Sequence, residues 1–137
     1  MEILFVDDDA DEAGSFKEAI MKLGQNIRVA HITYCTEVLW LLKYKKHDMV
    51  FLRVNADNKY GIYFLQTIRA LKELGPLPVI MYSTELNDCY IDRCYKAKAN
   101  YYLQKQESVT DTVNAFSKFM MSDMKKQLRI PKAEFVV

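Results

Sequence analysis

Five short apolar runs, rich in Val, Ile, Phe and Tyr, recur along the chain and are bounded by polar or turn residues. They cover residues 2–6, 27–33, 48–53, 78–82 and 100–103. Short runs that are apolar almost throughout are typical of β-strands whose two faces are both covered. The pattern therefore predicts five buried strands.

The segments between these runs repeat their apolar residues three or four positions apart, which is the spacing of one helix face. Clear examples are Ala13, Phe16, Ile20 and Leu23 in the first segment, and Val109, Val113, Phe116 and Met120 in the last. Strict alternation of strand and helix favours a parallel sheet covered by helices. The sequence therefore predicts an α/β domain, a doubly wound five-stranded parallel sheet with five helices.

Charge and composition narrow the classes of function. Lysine and arginine total 19 against 18 for aspartate and glutamate, so the net charge is +1. This balance gives no reason to expect nucleic acid or an anionic membrane as a partner. The chain opens directly into a strand pattern, with no export signal and no apolar stretch of the roughly 20 residues that span a bilayer. We expect a cytoplasmic protein, a monomer or weak dimer, whose partners are proteins.

Charged and hydroxyl residues follow four of the runs. Asp7 and Asp8 follow the first, Arg53 ends the third, Ser83 follows the fourth and Lys105 comes after the fifth. In a doubly wound sheet the carboxyl ends of the strands meet at a crevice, where the strand order reverses. We therefore expect these residues to converge, although they are far apart in sequence.

Four motifs, taken in this order and spacing, resemble the receiver domain of two-component response regulators. They are Ile3-Leu4-Phe5-Val6-Asp7-Asp8, Phe51-Leu52-Arg53-Val54-Asn55 with Gly61, Pro78-Val79-Ile80-Met81-Tyr82-Ser83-Thr84, and Asn100-Tyr101-Tyr102-Leu103-Gln104-Lys105. The resemblance covers about residues 2 to 121 and implies a (βα)5 flavodoxin-like receiver fold. We take residues 1–121 as a receiver-like domain and 122–137 as a C-terminal tail that docks on it, meets a partner or stays flexible.

The resemblance also implies a role for each site residue. In phosphorylated receivers the acidic pair, here Asp7 and Asp8, holds a magnesium ion, and an aspartate at the position of Arg53 accepts the phosphoryl group. Ser83 stands at the position of a switch hydroxyl, Tyr102 at that of an aromatic switch residue and Lys105 at that of the pocket cation. A guanidinium cannot accept a phosphoryl group, so the chain resembles a pseudo-receiver whose chemistry has been removed.

Arg53 changes the expected charge of this crevice. With Asp7 and Asp8 facing Arg53 and Lys105, the pocket can be near neutral without a metal. Our hypothesis is that the planar guanidinium makes a bidentate contact with Asp7 or Asp8 and fills the space of the magnesium ion. We expect no cofactor and no metal, with Asp8 the ligand if one binds. The alternative is an arginine that extends into solvent.

The principal functional prediction is a stand-alone receiver-like domain in phosphorelay signal transduction. It would bind a sensor kinase or a downstream signalling protein, would not be phosphorylated at position 53 and would not be an enzyme. The face that related receivers use for docking, the fourth helix, fifth strand and fifth helix, carries the interface candidates Tyr90, Tyr95, Tyr101 and Lys118. Aromatic anchors are favoured at interfaces, while half-buried packing is the alternative for these tyrosines.

Two other functions remain open. A substitute aspartate, Asp7, Asp8 or Asp57, could accept the phosphoryl group, although Asp57 stands four residues along a loop from Arg53. A small phosphatase could use Asp7 and Asp9 as nucleophile and acid, but it would lack room for a cap domain.

Several polar residues also have a purely local interpretation. Asp9 and Asp11 suit the N-terminus of the first helix, where carboxylates cap free N–H groups. Ser83 or Thr84 similarly suits the cap of the fourth helix. We prefer this local interpretation for Asp9 and Asp11.

Overall fold

The computed structural model describes residues 1–24, 26–33, 35–53, 60–105, 108–121 and 131–136. In these ranges five strands alternate with five helices: β1 (Glu2–Val6), α1 (Ala10–Met21), β2 (Arg28–Ile32), α2 (Cys35–Tyr44), β3 (Met49–Arg53), α3 (Tyr60–Ala70), β4 (Val79–Ser83), α4 (Asp88–Lys96), β5 (Tyr101–Gln104) and α5 (Val109–Met121). Each strand begins and ends within one residue of the apolar run that predicts it, so the strand predictions are confirmed. Within the described ranges, no helix combines the length and the apolar character that crossing a membrane requires.

The strands form one parallel sheet in the order β2-β1-β3-β4-β5. After β2 the chain crosses back over β1 and places β3 on the other side of it. The order therefore reverses at β1 and β3, and the crevice of a doubly wound sheet opens at their carboxyl ends. The predicted fold class is confirmed.

Helices cover both faces of the sheet and enclose two hydrophobic cores. One core joins α1 and α5 to the sheet through Phe16, Phe116, Phe5 and Phe51. Phe5 and Phe16 stack with their ring centroids 4.2 Å apart. The other core joins α2, α3 and α4 to the opposite face. Successive strand residues point to opposite faces, so β1 sends Phe5 into the first core and Leu4 into the second.

Residues 131–136 pack beside β5. Phe135 is fully buried and belongs to the core that α2, α3 and α4 cover. The backbone N–H of Tyr102 donates to the carbonyl of Phe135 at 2.9 Å, and Tyr102 forms an isolated parallel bridge with Val136. The tail was expected to dock on the domain, to meet a partner or to stay flexible, and residues 131–136 dock on the domain. Residues 122–130 lie outside the described ranges, and the boundary at 121 stays a prediction.

Helix α4 ends at a residue in the left-handed conformation, since Lys98 has a φ of 67°. Its N–H donates to the carbonyl of Tyr95 at 3.0 Å, and that of Ala99 donates to Cys94 at 3.0 Å. These two bonds form a Schellman motif. The carbonyl of Lys98 also accepts from Nε of Arg69 at 2.9 Å, which ties the end of α4 to α3.

Candidate functional site

The candidate site is the crevice at the carboxyl ends of β1 and β3, which are neighbours in the sheet. Val6 and Leu52 are partners in the register. The residues that follow them, Asp7 and Arg53, therefore start from adjacent points on one edge of the sheet. The topology brings these two together as the sequence predicts.

Arg53 turns into the crevice and contacts three carboxylates. Its Nη1 lies 2.8 Å from Oδ1 of Asp7 and 3.3 Å from Oδ1 of Asp8. The same atom lies 3.4 Å from Oε2 of Glu12. Because only 25% of the Arg53 side chain is exposed, the solvent-extended alternative is wrong. Pairing with the acidic couple is present, but among the described residues all three contacts run through Nη1, so the bidentate geometry is not formed.

Asp7 is the buried member of the acidic pair. Its side chain is fully buried, whereas that of Asp8 is 59% exposed. Oδ1 of Asp7 accepts hydrogen bonds from the N–H of Asp9 at 2.9 Å and from Arg53, while its Oδ2 is buried with no hydrogen-bond partner in the described residues. Burial raises the pKa of Asp7, and the bonds from Asp9 and Arg53 oppose that rise. The N–H of Asp9 and the guanidinium of Arg53 therefore both favour the ionised form of Asp7.

Glu12 is a site residue that the sequence analysis missed. It lies in the first turn of α1, its side chain is 17% exposed, and it forms ion pairs with both Arg53 and Lys105. Asp9 caps α1 by accepting from the N–H groups of Asp11 and Glu12, which confirms its local role. The spacing of Asp9 and Glu12 is that of a capping box, the one sequence signal that could have pointed to Glu12.

The ion pairs form a chain across the crevice from Lys105 through Glu12 and Arg53 to Asp7. With Asp8 included, three carboxylates contact two cations, so one negative charge is left over. The prediction of a near-neutral pocket omitted Glu12. Burial lowers the pKa of Arg53, but its hydrogen bond to Asp7 and the charge of Asp7 outweigh this and raise the pKa above its ordinary value. Arg53 is a permanent cation here.

Ser83 and Tyr102, the two predicted switch positions, are both buried. The hydroxyl of Tyr102 donates to the carbonyl of Glu85 at 2.8 Å, and Oγ of Ser83 accepts from the N–H of Glu85 at 3.1 Å. Burial raises the pKa of Tyr102, and a hydrogen bond with Ser83 opposes this. The interpretation of Ser83 or Thr84 as the helix cap is wrong, because α4 begins later and is capped by Asn87. Ser83 stabilises the turn before the helix instead.

Gly61 allows α3 to approach the end of β3. A Cβ atom at this position would lie 2.6 Å from the backbone oxygen of Arg53, well inside van der Waals contact. Glycine therefore fixes how the first turn of α3 meets the strand end from which Arg53 extends. Asp57 lies outside the described residues, so its role as a substitute acceptor stays a prediction.

The predicted interface tyrosines lie on α4 and β5. Tyr90, Tyr95 and Tyr101 are half-buried and pack against the core covered by α2, α3 and α4. This burial fits the packing alternative, and interface use of these residues stays a prediction. The side chain of Lys118, in α5, lies outside the described part of the chain.

Residues 3–117 match the model of the response regulator receiver domain family. The chain belongs to that family. Known structures share its fold: the phosphorylated cyanobacterial phytochrome response regulator RcpA is 21% identical with a TM-score of 0.76, over 86% of this chain and 89% of that one. A response regulator from Thermotoga maritima is 22% identical, with a TM-score of 0.74 over 88% and 98%. The Vibrio cholerae chemotaxis protein CheY4 is 18% identical, with a TM-score of 0.74 over 88% and 98%. No curated protein sequence matches the chain.

The receiver fold implies a magnesium ion beside the acidic pair, and the residues of this receiver do not fit one. Oδ1 of Asp7 and Oδ1 of Asp8 both face Nη1 of Arg53, whose positive charge would repel a nearby cation. The other carboxylate oxygen of Asp7 is buried. A hard cation needs several oxygen ligands, and the described residues contain no cluster of three or more acidic, histidine or cysteine side chains suited to hold a metal.

Proposed function

We propose that this receiver domain is not phosphorylated at position 53 and acts as a protein-interaction module in two-component or related signalling. One observation carries the proposal, the ion pairs that hold Arg53 in the crevice at the position of the acceptor. A guanidinium has no oxygen that could receive a phosphoryl group. The proposal includes no catalytic activity, no metal and no cofactor, and its partner is a sensor kinase or a downstream signalling protein.

The ion-pair chain supports a state that needs no kinase. The contacts of Arg53 with Asp7 and Glu12, and of Glu12 with Lys105, use only side chains of this protein. Tyr102 is buried and bonded to Glu85 in the same state. We therefore expect the arrangement of the face formed by α4, β5 and α5 to be independent of phosphorylation.

The test is intact-mass spectrometry after incubation with acetyl phosphate and magnesium. The wild-type chain is compared with Arg53→Asp and with the double variant Arg53→Asp, Glu12→Gln. The second change matters because Glu12 binds Lys105, the cation expected to contact a phosphoryl group. We expect no phosphoryl group on the wild type and a hydrolytically labile one on the double variant, with less on Arg53→Asp alone.

A phosphoryl group on the wild-type chain would refute the proposal. Peptide mapping of that adduct would then identify the substitute acceptor among Asp7, Asp8 and Asp57. If neither variant carries phosphate, features of the crevice other than residue 53 also differ from those of phosphorylated receivers. Arg53 alone would then not explain why the wild type is not phosphorylated.

The phosphatase alternative gains no support from the site. Asp9 uses a carboxylate oxygen to cap α1, and the side chain of Asp7 is fully buried. Hydrolysis of p-nitrophenyl phosphate at neutral pH that an Asp7→Asn variant loses would nevertheless establish an enzyme.

A further inference from the structure

The groove between α4 and β5 holds residues 131–136 through one deeply buried side chain. Phe135 is 0% exposed. It meets the ring of Tyr95 edge-on, with centroids 5.2 Å apart, and lies 6.4 Å from the ring of Tyr102. The rest of the segment is exposed. The groove is therefore a socket for one aromatic side chain.

The same segment pairs with the backbone of β5, which is an edge strand of the sheet. The N–H of Tyr102 donates to the carbonyl of Phe135 at 2.9 Å, and the bridge between Tyr102 and Val136 is parallel. Edge strands offer free N–H and C=O groups that readily accept an added extended segment. Here the protein supplies that segment itself.

A charge contact fixes the position of the segment along the groove. Nζ of Lys132 donates to Oδ1 of Asp92 at 2.7 Å, and Lys96 holds the other oxygen of the carboxylate at 2.9 Å. Hydrogen bonds from Lys132 and then Lys96 lower the pKa of Asp92 to about 2. The short 3₁₀ turn over Lys132–Glu134 sets the spacing between the cation and the aromatic anchor.

We propose that the α4–β5 groove is a peptide-recognition groove for a partner protein, and that residues 131–136 occupy it as an internal competitor. The partner segment pairs in parallel with β5, inserts a phenylalanine into the socket and, through a similar short turn, places a lysine or arginine three residues earlier against Asp92. The inference rests on the proposed function in one respect, that a partner docks on this face.

The contacts themselves show why a partner can replace the segment. Within residues 131–136 and the described part of the groove, they include one buried ring, one backbone hydrogen bond with β5 and one exposed ion pair, and exposed ion pairs stabilise weakly. A segment from another chain could make the same contacts. The internal segment is favoured by its tether, which typically gives an effective concentration in the millimolar range. A partner present at a lower concentration must therefore contact more of the surface or bind after the segment is released.

The test measures binding of a fluorescein-labelled peptide with the sequence of residues 130–137, Ile-Pro-Lys-Ala-Glu-Phe-Val-Val, by fluorescence anisotropy. Full-length Phe135→Ala leaves the socket open, and we expect it to bind the peptide at least about tenfold more tightly than the wild type does, because the internal competitor is lost. A peptide whose phenylalanine is replaced by alanine should bind neither protein.

Two further variants keep the test decisive if Phe135→Ala does not fold. Lys132→Glu alters an exposed ion pair and should leave the fold intact, yet it places a negative charge against Asp92 and weakens the internal segment, so peptide binding should rise severalfold. Adding Asp92→Lys to Lys132→Glu restores an internal ion pair of reversed sign. That double variant should again exclude the natural peptide.

Equal peptide affinity for the wild type, Phe135→Ala and Lys132→Glu, or no binding to any of them, would overturn the proposal. A wild-type dimer in light scattering that the peptide dissociates would assign the groove to a second copy of the chain and would overturn it too. Phosphorylation of the wild type in the mass experiment would remove the proposed function alone, because the peptide makes no contact that involves Arg53.

Discussion

Nη1 of Arg53 lies 2.8 Å from Oδ1 of Asp7, and the two residues extend from the carboxyl ends of adjacent parallel strands. Asp7 is fully buried and has one carboxylate oxygen without a hydrogen-bond partner in the described residues. Arg53 therefore supplies from within the chain the positive charge that this buried carboxylate needs. The acidic residues of a receiver crevice are retained in this protein, and the guanidinium of Arg53 balances part of their negative charge.

Replacing Arg53 by methionine should destabilise the protein because Asp7 loses its cation. We expect a loss of about 1–3 kcal/mol in the free energy of unfolding at pH 7, less than for a fully buried pair, since a quarter of the Arg53 side chain is exposed. Urea unfolding of both proteins measures it. The matched control is Asp8→Asn. Because the carboxylate of Asp8 is exposed, this substitution should lower the free energy of unfolding by less than about 1 kcal/mol.

The same variant should show a characteristic pH dependence. Burial already raises the pKa of Asp7, and loss of Arg53 raises it further above the unfolded value of about 3.9. The folded state then binds a proton more readily than the unfolded state, so the variant loses stability as the pH rises through the new pKa of Asp7. The difference in free energy of unfolding between the wild type and the variant should therefore become smaller from pH 7 toward pH 4.5. A deficit independent of pH would contradict this account.

Gly61→Ala should lower the free energy of unfolding by about 1–3 kcal/mol, the usual cost of forcing extra atoms into a packed site. The added Cβ would meet the backbone oxygen of Arg53 at 2.6 Å, which cannot move without shifting β3. Gly14→Ala is the control, because a Cβ in α1 there meets nothing within 4 Å and should stabilise the helix by about 0.5–1 kcal/mol. Similar effects of the two substitutions would argue against a tight junction of β3 and α3.

The fold could be predicted because its signals are local and repeated. A central parallel strand must be apolar on both faces, so the run Met49-Val50-Phe51-Leu52 identifies β3 without any tertiary information. The position of the crevice could also be predicted, because parallel topology alone brings the residues after β1 and at the end of β3 to one edge of the sheet.

Some residues could not be predicted because their roles depend on how the helices and the C-terminal segment are oriented against the sheet. Glu12 resembles any glutamate in a first helical turn, and only the packing of α1 on the sheet turns it toward Lys105. The alternative interpretation of Ser83 or Thr84 as a helix cap fails because the turn before α4 has no distinct pattern that would show where the helix starts, and Asn87 is the cap. Phe135 is one apolar residue in a short segment without periodicity, so nothing in the sequence signals its burial.

Lys98→Gly should stabilise the protein. Lys98 adopts a φ of 67° at the end of α4, a conformation that costs roughly 1–2 kcal/mol for most residues and little for glycine. We expect a gain of about 1 kcal/mol in the free energy of unfolding, since the bonds of the Schellman motif use only backbone atoms. Lys98→Ala removes the same side chain but keeps the strain. A gain with alanine equal to that with glycine would show that the lysine side chain is responsible.

His47 should make the stability depend on pH. It is 6% exposed, its Nδ1 contacts the carbonyl of Lys45 at 3.0 Å, and its Nε2 is buried with no hydrogen-bond partner in the described residues. Burial lowers the pKa of His47, so the unfolded state, with a histidine pKa of about 6.5, binds a proton first. The stabilisation by neutral His47 is therefore present above pH 6.5 and is lost as the pH falls toward its folded pKa.

The matched variant is His47→Asn, which can still donate to the carbonyl of Lys45 but does not titrate. Between pH 7 and pH 5 the wild type should lose stability relative to this variant, with a slope of at most about 1.4 kcal/mol per pH unit. Urea unfolding at several pH values measures the difference. Parallel curves would show that His47 ionises equally easily in both states.

Residues 131–136 also decide which piece of the chain leaves an open strand edge. The family match ends at residue 117, so a fragment cut there, or after α5, would follow the conventional boundary of a receiver. Such a fragment would leave the N–H of Tyr102 unpaired at the edge of β5 and the Phe135 socket empty. Open strand edges beside apolar sockets promote self-association. We therefore expect a fragment that resists self-association to extend past the boundary of the family match, through residue 136.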